Sequence, residues 1–138
     1  MIKRIILILT LFFFQNIQAS EIIGIPKIID GDTIHIKSFK IRLEGIDAPE
    51  MKQKCKKPYL TLMFLNFQKD YYCGQVSKRK LLKKIGNKPV KCILLGKDRY
   101  KRYLAKCLKG STNLNRWMVR NGFAVAYRRY SKLYIVDE

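Results

Sequence analysis

The chain is poor in acidic residues: its 138 residues include 10 Asp and Glu against 29 Lys and Arg, a formal charge of +19. So large a positive charge on a small domain exceeds what solubility requires, and it favours a polyanionic partner such as nucleic acid or an anionic surface. Histidine is nearly absent. The single His35 falls on a predicted strand, on the side away from its apolar neighbours, which favours a solvent-facing residue over a catalyst.

Long apolar runs are confined to the N-terminus. The run at 5–14 follows two basic residues and is almost wholly apolar, but it is shorter than the roughly 20 residues that cross a bilayer. With the small Ala19 behind it, this is the layout of a secretory signal. We predict a signal peptide at 1–19 and one exported domain, periplasmic or secreted, at 20–138. An uncleaved membrane anchor is the alternative.

The four cysteines include no C-x-x-C pair, which leaves a zinc site as the weaker alternative to disulfides. An exported chain is expected to oxidise its cysteines. Of the three possible pairings we predict Cys55–Cys73 and Cys92–Cys107. The second pair lies on two strand-like runs that a short turn would make neighbours.

Half of the few acids gather in one stretch, Ile28 to Glu50. They are Asp30, Asp32, Glu44, Asp47 and Glu50. Clustered carboxylates repel one another unless a cation compensates. Arg42 lies in the same stretch, and all-oxygen ligands favour calcium or magnesium. The stretch therefore predicts a metal site with an arginine beside it. The alternative is a tight Asp-Gly turn with scattered solvated acids.

The pattern of apolar residues predicts an α+β, mainly β fold. Strands are predicted at 22–29, 33–37, 39–43, 90–95 and 102–108, and helices at 75–85 and 111–121. Inward positions are predicted for Leu81, Leu82 and Ile85 on the first helix and for Leu114, Trp117 and Met118 on the second. Three strands, a helix, two strands and a helix fit a five-stranded Greek-key barrel of the oligonucleotide-binding type (OB-fold).

Two segments are less regular. In Met51 to Tyr72 the apolar residues after Pro58 fit helical spacing, which predicts a small amphipathic helix; a membrane-touching or nucleic-acid-stacking loop is the alternative. Near the C-terminus, Tyr130 and the run 134–136 are predicted to be buried.

Four motifs together carry a family resemblance. They are I-D-G-D-T at 29–33, R-L-E-G-I-D-A-P-E at 42–50, D-R-Y-K-R-Y-L-A at 98–105 and N-R-W-M-V-R-N-G-F-A-V-A-Y at 115–127. The chain resembles the thermonuclease (staphylococcal nuclease-like) family over nearly all of its mature part. These are exported calcium-dependent nucleases built on an oligonucleotide-binding barrel.

The resemblance implies three groups of site residues. The calcium ligands would be the carboxylates of Asp32 and Asp47 and the backbone carbonyl of Ala48. The arginines on the scissile phosphate and the general base would be Arg42, Arg102 and Glu50. The positions near the bound nucleotide would be Arg99, Tyr100 and Tyr127.

The implied activity is hydrolysis of phosphodiester bonds in DNA and RNA by a monomer, with denatured or single strands favoured and little base specificity. Two features depart from the family pattern: Lys101 stands where the family often has glycine, and the family's third, C-terminal helix is expected to be absent. The alternatives are a non-catalytic nucleic-acid-binding barrel, a truncated inactive homologue, or a cationic envelope-binding protein.

Overall fold

Residues 20–138 are described by the structure, a computed structural model. The predicted signal peptide at 1–19 lies outside the described residues. The first seven strands are β1 (Glu21–Gly24), β2 (Lys27–Ile28), β3 (Thr33–Ile36), β4 (Phe39–Leu43), β5 (Ile46–Asp47), β6 (Lys54–Leu62) and β7 (Leu65–Tyr72). The elements that follow are helix α1 (Cys73–Ile85), β8 (Val90–Lys97), β9 (Tyr103–Lys109), β10 (Thr112–Asn113), α2 (Leu114–Arg120), β11 (Val125–Ala126) and a 3-10 turn (Ile135–Asp137).

The main sheet runs β1-β8-β9-β4-β3-β2, with β10 added beside β9. β1 and β2 stand at opposite ends of this hydrogen-bonded path, yet only two residues separate them in the chain. The sheet must therefore curl back on itself. The close approach is visible at Gly24, where an added Cβ would lie 2.6 Å from the Ile36 side chain. The five strands of four residues or more in this sheet are the five predicted, which confirms the mainly β, oligonucleotide-binding architecture.

The curled sheet and both helices enclose one apolar core. Its fully buried members include Ile34, Ile36, Ile41, Leu43, Leu81, Ile85, Leu114 and Met118. The inward positions predicted on the helices are confirmed for four residues, and Trp117 is partly buried against the core. The prediction for Leu82 is wrong, because its side chain is half exposed; the helix buries a narrower stripe than its apolar residues suggest.

The prediction of a helix within Met51 to Tyr72 is wrong. The segment forms a two-stranded hairpin, β6–β7, that pairs with no other strand among the described residues. Its side chains face solvent, so neither face of the segment is buried against a core. The helical spacing of its apolar residues therefore did not indicate its secondary structure. Cross-strand pairing decides the outcome instead. Among residues 20–138, no helix is long and apolar enough to cross a membrane.

Both predicted disulfides are present. Cys92 and Cys107 are direct cross-strand partners on β8 and β9 and are fully buried. Cys55 and Cys73 tie the base of the β6–β7 hairpin to the first residue of α1. One bridge thus reinforces the core and the other anchors the protruding hairpin.

The last residues pack against α2 and the barrel. Tyr134 is buried as predicted and covers Gly45. The Asp137 carboxylate accepts hydrogen bonds from Nε of Arg116 at 2.9 Å and Nε of Arg120 at 2.6 Å. Burial predicted for Tyr130 and Val136 is wrong, since both are exposed. The Tyr130 ring packs at a tilt of 50° against that of Tyr127, with 4.8 Å between ring centroids.

Candidate active site

Arg42 lies between the two aspartates that the sequence singles out. Its Nη1 donates to Oδ1 of Asp32 at 2.7 Å, and its Nη2 donates to Oδ1 of Asp47 at 2.8 Å. Nη2 also lies 3.3 Å from the carbonyl oxygen of Ile46. The guanidinium therefore compensates both carboxylates, as the clustering of acids in this stretch requires.

Asp32 is the most enclosed of these acids, with 4% of its surface exposed. Its Oδ1 accepts the Thr33 hydroxyl at 2.9 Å, and its Oδ2 accepts the backbone N–H of Ala48 at 2.9 Å. Burial raises the pKa of Asp32 to about 6 although Arg42 and the Ala48 N–H oppose the rise. The carboxyl is mostly ionised at neutral pH, and its surroundings favour additional positive charge.

Arg102 joins the same cluster through Thr33. Its Nη1 lies 3.5 Å from the Thr33 hydroxyl oxygen, at the long limit of a hydrogen bond. Its Nε donates to Oδ2 of Asp98 at 2.7 Å, and Oδ1 of Asp98 accepts the backbone N–H groups of Tyr100 and Arg102, both at 2.9 Å. A chain of contacts thus runs from Arg42 through Asp32 and Thr33 to Arg102.

Sheet topology brings these distant positions together. Thr33 and Arg42 are direct partners across the β3–β4 hairpin. β4 and β9 pair in parallel, with Ile41 opposite Tyr103. Arg102 immediately precedes β9 and therefore lies beside β4 close to Ile41, and its side chain reaches the Thr33 hydroxyl on β3, although Thr33 is 69 residues away in sequence.

Lys101 occupies a left-handed backbone conformation, with φ at 63°. Glycine takes this conformation without the steric cost of a Cβ. This explains the glycine often found at the corresponding position in the resembling family. The lysine is accommodated because its side chain is exposed and Asp98 holds the surrounding turn.

Glu50 is not part of the arginine–aspartate cluster. Its side chain is exposed and forms no hydrogen bond or ion pair within residues 20–138. Its backbone, by contrast, is firmly held: the N–H donates to Oε1 of Gln53 at 3.1 Å, and the carbonyl accepts the Gln53 N–H at 2.8 Å. The carbonyl also packs so closely on Gly74 that any Cβ there would clash with it. The backbone at Glu50 is thus held in place, whereas its carboxylate has no bonding partner among residues 20–138.

Tyr127 lies next to the cluster, whereas Arg99 and Tyr100 lie on the turn before β9. The Arg42 guanidinium is 5.7 Å from the centroid of the Tyr127 ring, and the Tyr127 N–H donates to the carbonyl of Gly45 at 3.0 Å. Tyr100 is exposed, with the guanidinium of Arg99 4.8 Å and that of Arg102 5.4 Å from its centroid. Flat rings beside arginines, exposed at Tyr100 and partly buried at Tyr127, suit the stacking of nucleic acid bases.

A shallow pocket of about 180 Å³ opens beside Asp47, where β5 pairs with β11. It is lined by Asp47, Ala48, Pro49, Gln53, Gly122, Phe123, Ala124 and Val125. The pocket places one edge of the acidic loop at the surface.

The oxygen atoms of this cluster fit a hard cation. One oxygen of Asp47 bonds to Arg42, and the Asp47 side chain is about half exposed. Carboxylate and carbonyl oxygens are the ligands that calcium and magnesium prefer, and both ions complete their shells with water. No group of three or more His, Cys, Asp or Glu side chains that could hold a metal occurs within residues 20–138, so an ion here would rely on two carboxylates, backbone carbonyls and water.

Sequence reasoning missed two residues that shape the site. Thr33 links Asp32 to Arg102, and Asp98 orients Arg102. The signal for Asp98 was present, because an aspartate four residues before an arginine in a tight turn can reach it. The contribution of Thr33 depends on the parallel β4–β9 pairing, which local sequence does not reveal.

Comparisons with known proteins identify the family of this chain. The family model described as "Staphylococcal nuclease homologue" matches residues 40–137, a range that begins after Asp32 and contains the other predicted site residues. The chain is 35% identical to the "Succinoglycan biosynthesis protein ExoI" of Rhizobium meliloti over 78% of this chain and 53% of that protein. It thus spans about half the length of that relative.

Two further relatives carry nuclease names. An "Uncharacterized endonuclease" of Haemophilus influenzae is 34% identical over 95% of this chain and 69% of its own length. A "Probable staphylococcal-like nuclease CAN3" of Oryza sativa is 30% identical over 73% of this chain and 22% of its own length. With the family model covering well over half of its residues, the chain belongs to the staphylococcal nuclease homologue family.

Proposed function

We propose that this protein is an exported, calcium-dependent nuclease that hydrolyses phosphodiester bonds in DNA and RNA with low sequence specificity. The observation that carries the proposal is the continuous contact chain from Arg42 through Asp32 and Thr33 to Arg102. With Asp47, which also bonds to Arg42, this chain of contacts includes two arginines and two carboxylates and supports a nuclease site in a member of a nuclease family.

The metal would be held by Asp32, Asp47 and the carbonyl of Ala48. A hard divalent ion at a phosphodiester polarises the phosphoryl oxygen and lowers the pKa of a bound water. Arg42 already neutralises one oxygen of each aspartate. It therefore holds the two carboxylates close together before any ion arrives, at the separation that its two Nη atoms impose.

The two arginines would bind the phosphate as it gains negative charge. A planar guanidinium donates paired hydrogen bonds that match phosphate oxygens, which lysine cannot do. Asp98 fixes Arg102 through Nε and leaves its Nη groups to face the cluster. Loss of one such donor typically lowers the rate by about a hundredfold or more.

Glu50 would act as the general base on the attacking water. Its carboxylate has no partner within the described part of the chain, whereas its backbone is held by Gln53 and Gly74. A base must be positioned but still able to accept a proton. A fixed loop that carries an unpaired carboxylate supports this role.

The substrate would bind mainly through its backbone. The charge is +17 once Lys3 and Arg4 of the predicted signal peptide are removed (19 − 2), and it attracts any polynucleotide without reading its sequence. Tyr100 and Tyr127 offer stacking surfaces that accept every base, and Arg99 adds charge beside Tyr100. Unstacked bases are needed for such contacts, which favours single-stranded or denatured nucleic acid. Two disulfides support folding in an oxidising, exported environment.

The test is release of acid-soluble nucleotides from denatured DNA and from RNA by the oxidised protein, with calcium and then with a chelator. Glu50→Gln should abolish most activity while leaving the melting curve unchanged, because the side chain is exposed and unpaired. Arg79→Ala is the matched control: it removes one exposed charge on α1 and should leave the rate within about twofold.

Three results would contradict the proposal. Cleavage that persists in chelator would exclude the metal role, and full activity of Glu50→Gln would exclude its role as base. Salt-sensitive binding of DNA without cleavage, by a protein with a folded circular dichroism spectrum, would support the non-catalytic binding barrel instead.

A further inference from the structure

The outer half of the β6–β7 hairpin has one apolar face. Leu60 pairs with Phe67, and Leu62 pairs with Leu65. Cross-strand partners share a face, and so do residues two apart on a strand. These four side chains therefore form one patch on the same side of the ribbon, and all four are exposed. The pair Thr61 and Asn66 lies on the opposite side.

The turn at the end of the hairpin continues this apolar patch. It consists of Met63 and Phe64, whose side chains are 89% and 94% exposed. Met63 has a φ of 48°, a left-handed conformation at the first turn position, where glycine is the usual choice in a two-residue hairpin. A large apolar residue here contradicts both local turn chemistry and solubility, so the position favours a function outside the folding of this chain.

Charge is distributed along the hairpin in a second pattern. No charged residue occurs from Tyr59 to Gln68, although the chain as a whole is strongly basic. The lysines lie nearer the base, where Lys57 and Lys69 are direct cross-strand partners. Like charges in this arrangement repel one another. An anionic surface close to the base of the hairpin would relieve that repulsion.

Aromatic rings accompany the lysines at this level. The Lys57 ammonium lies 5.6 Å from the Tyr71 ring centroid, and the Lys69 ammonium lies 6.0 Å from that of Tyr59. From the turn towards the barrel, the hairpin thus presents first an uncharged apolar tip and then a level of tyrosine and lysine side chains. Membrane interfaces select this order, because tyrosine rings sit at the headgroup level and lysines reach the anionic phosphates.

We propose that the β6–β7 hairpin is a membrane-docking element whose tip, residues 60–67, enters the headgroup–acyl boundary of an anionic bilayer. The disulfide between Cys55 and Cys73 anchors its base to α1. Nucleic acid is a poorer occupant of the tip, since a strand-binding surface needs cations among its apolar side chains.

The first experiment is co-sedimentation of the oxidised protein with phosphatidylcholine vesicles that do or do not contain phosphatidylglycerol. The protein should bind the anionic vesicles. The double variant Met63→Gly with Phe64→Asn removes the two most exposed apolar side chains and supplies a favoured turn residue. It should bind at least about tenfold more weakly, because interfacial affinity scales with buried apolar area.

The matched control is Ile25→Asn with Leu133→Asn, which removes two exposed apolar side chains outside the hairpin. Its vesicle binding should equal that of the wild type. Circular dichroism melting of both double variants checks that the barrel remains folded. Equal loss of binding in control and tip variants, or wild-type binding that does not depend on the tip, would overturn the proposal.

Insertion itself is tested with Phe64→Trp. Trp117 is the only tryptophan of the wild type and provides the background spectrum. Emission of the added indole should shift to the blue with anionic vesicles and be quenched by brominated acyl chains. No shift would overturn insertion. A shift produced instead by single-stranded DNA, or by self-association on raising the protein concentration, would assign the tip to those partners. None of these readouts requires nuclease activity.

Discussion

The candidate active site and the β6–β7 hairpin are adjacent in sequence but are held in place in opposite ways. Asp32 is buried and fixed by bonds from Arg42, Thr33 and Ala48. In the hairpin, every residue from 54 to 72 except Cys55 and Tyr71 is exposed. One region is positioned by packing and hydrogen bonds, and the other by strand pairing and a disulfide.

This difference predicts which substitutions affect one region without affecting the other. A substitution in the barrel should affect both the packing of the core and the geometry of the candidate active site, because the two share strands β3, β4 and β9. A change in the hairpin meets no tertiary neighbour beyond its base, so its effect should remain local. Paired substitutions, one in each region, test this directly.

The largest difference is expected between Arg42→Ala and Lys57→Ala. Arg42→Ala leaves the buried Asp32 without its cation, which should cost about 3–5 kcal/mol of unfolding free energy and lower cleavage by about a hundredfold or more. Lys57→Ala removes an exposed cation over Tyr71 and should change stability by less than about 0.5 kcal/mol. Urea denaturation and nucleotide release measure both. Similar losses in the two variants would show that the hairpin is coupled to the barrel.

The two disulfides give the next comparison. They close loops of 18 and 15 residues, so loop entropy alone predicts nearly equal stabilisation, about 3 kcal/mol each. Because Cys92 and Cys107 are in the core, their double replacement by alanine should lower global stability by about 2–5 kcal/mol. Replacement of Cys55 and Cys73 should instead raise protease cleavage within 54–72 and lower global stability less. Equal losses of global stability would contradict the separation of the two regions.

A pH comparison sets Asp137→Asn against Asp70→Asn. Burial would raise the pKa of Asp137, but hydrogen bonds and charge from Arg120 and Arg116 outweigh this and hold the pKa below its usual value. A lowered folded-state pKa means that the stabilisation is complete above the ordinary aspartate pKa, about 4, and is lost as pH falls through the folded value. Asp137→Asn should therefore flatten the acid limb of stability against pH. Asp70 is exposed on β7 opposite Lys56, and its replacement should leave that limb unchanged.

The smallest effect concerns two left-handed residues. Lys101→Gly should raise unfolding free energy by about 0.5–1 kcal/mol, since it removes a Cβ from a φ of 63° at the cost of glycine's greater unfolded entropy. Met63→Gly makes the same change in the hairpin turn. It should leave the global melting temperature unchanged, because the turn lies outside the cooperative core. A decrease for Lys101→Gly would indicate that the lysine side chain itself stabilises the turn.

Much of the barrel was predictable because its buried apolar residues recur with the spacing of a strand or a helix. In the β3–β4 hairpin the buried residues change from even to odd numbers across Lys37-Ser38, which marks the turn, and Lys37 has a positive φ of 54°. The helix predicted at 111–121 begins with polar residues, and Asn113 caps it by accepting the Arg116 N–H. The two strand-like runs joined by a short turn also predicted that Cys92 and Cys107 are neighbours, which the β8–β9 pairing confirms.

Secondary structure was predicted wrongly where a segment has no buried face, and side-chain contacts were missed where the bonding partners are distant in sequence. The helix predicted within Met51 to Tyr72 is instead a hairpin, because this segment has no buried face to reveal its repeat. Asn115 is fully buried and binds the carbonyls of Glu44 and Ala105 and the N–H of Cys107, a role that no local pattern indicates. Its partners come from two elements that only the folded sheet brings together.

The sequence by itself determined the basic charge, the concentration of acids at 28–50, the main strands and helices, and the family to which the chain belongs. These properties depend on residue type and short-range spacing. The tertiary structure alone decided that Arg42 bridges Asp32 and Asp47 and that Arg102 reaches Thr33. It also decided that the apolar residues at 60–67 form a protruding tip. The physical reason is that strand register and parallel pairing determine contacts between residues far apart in sequence.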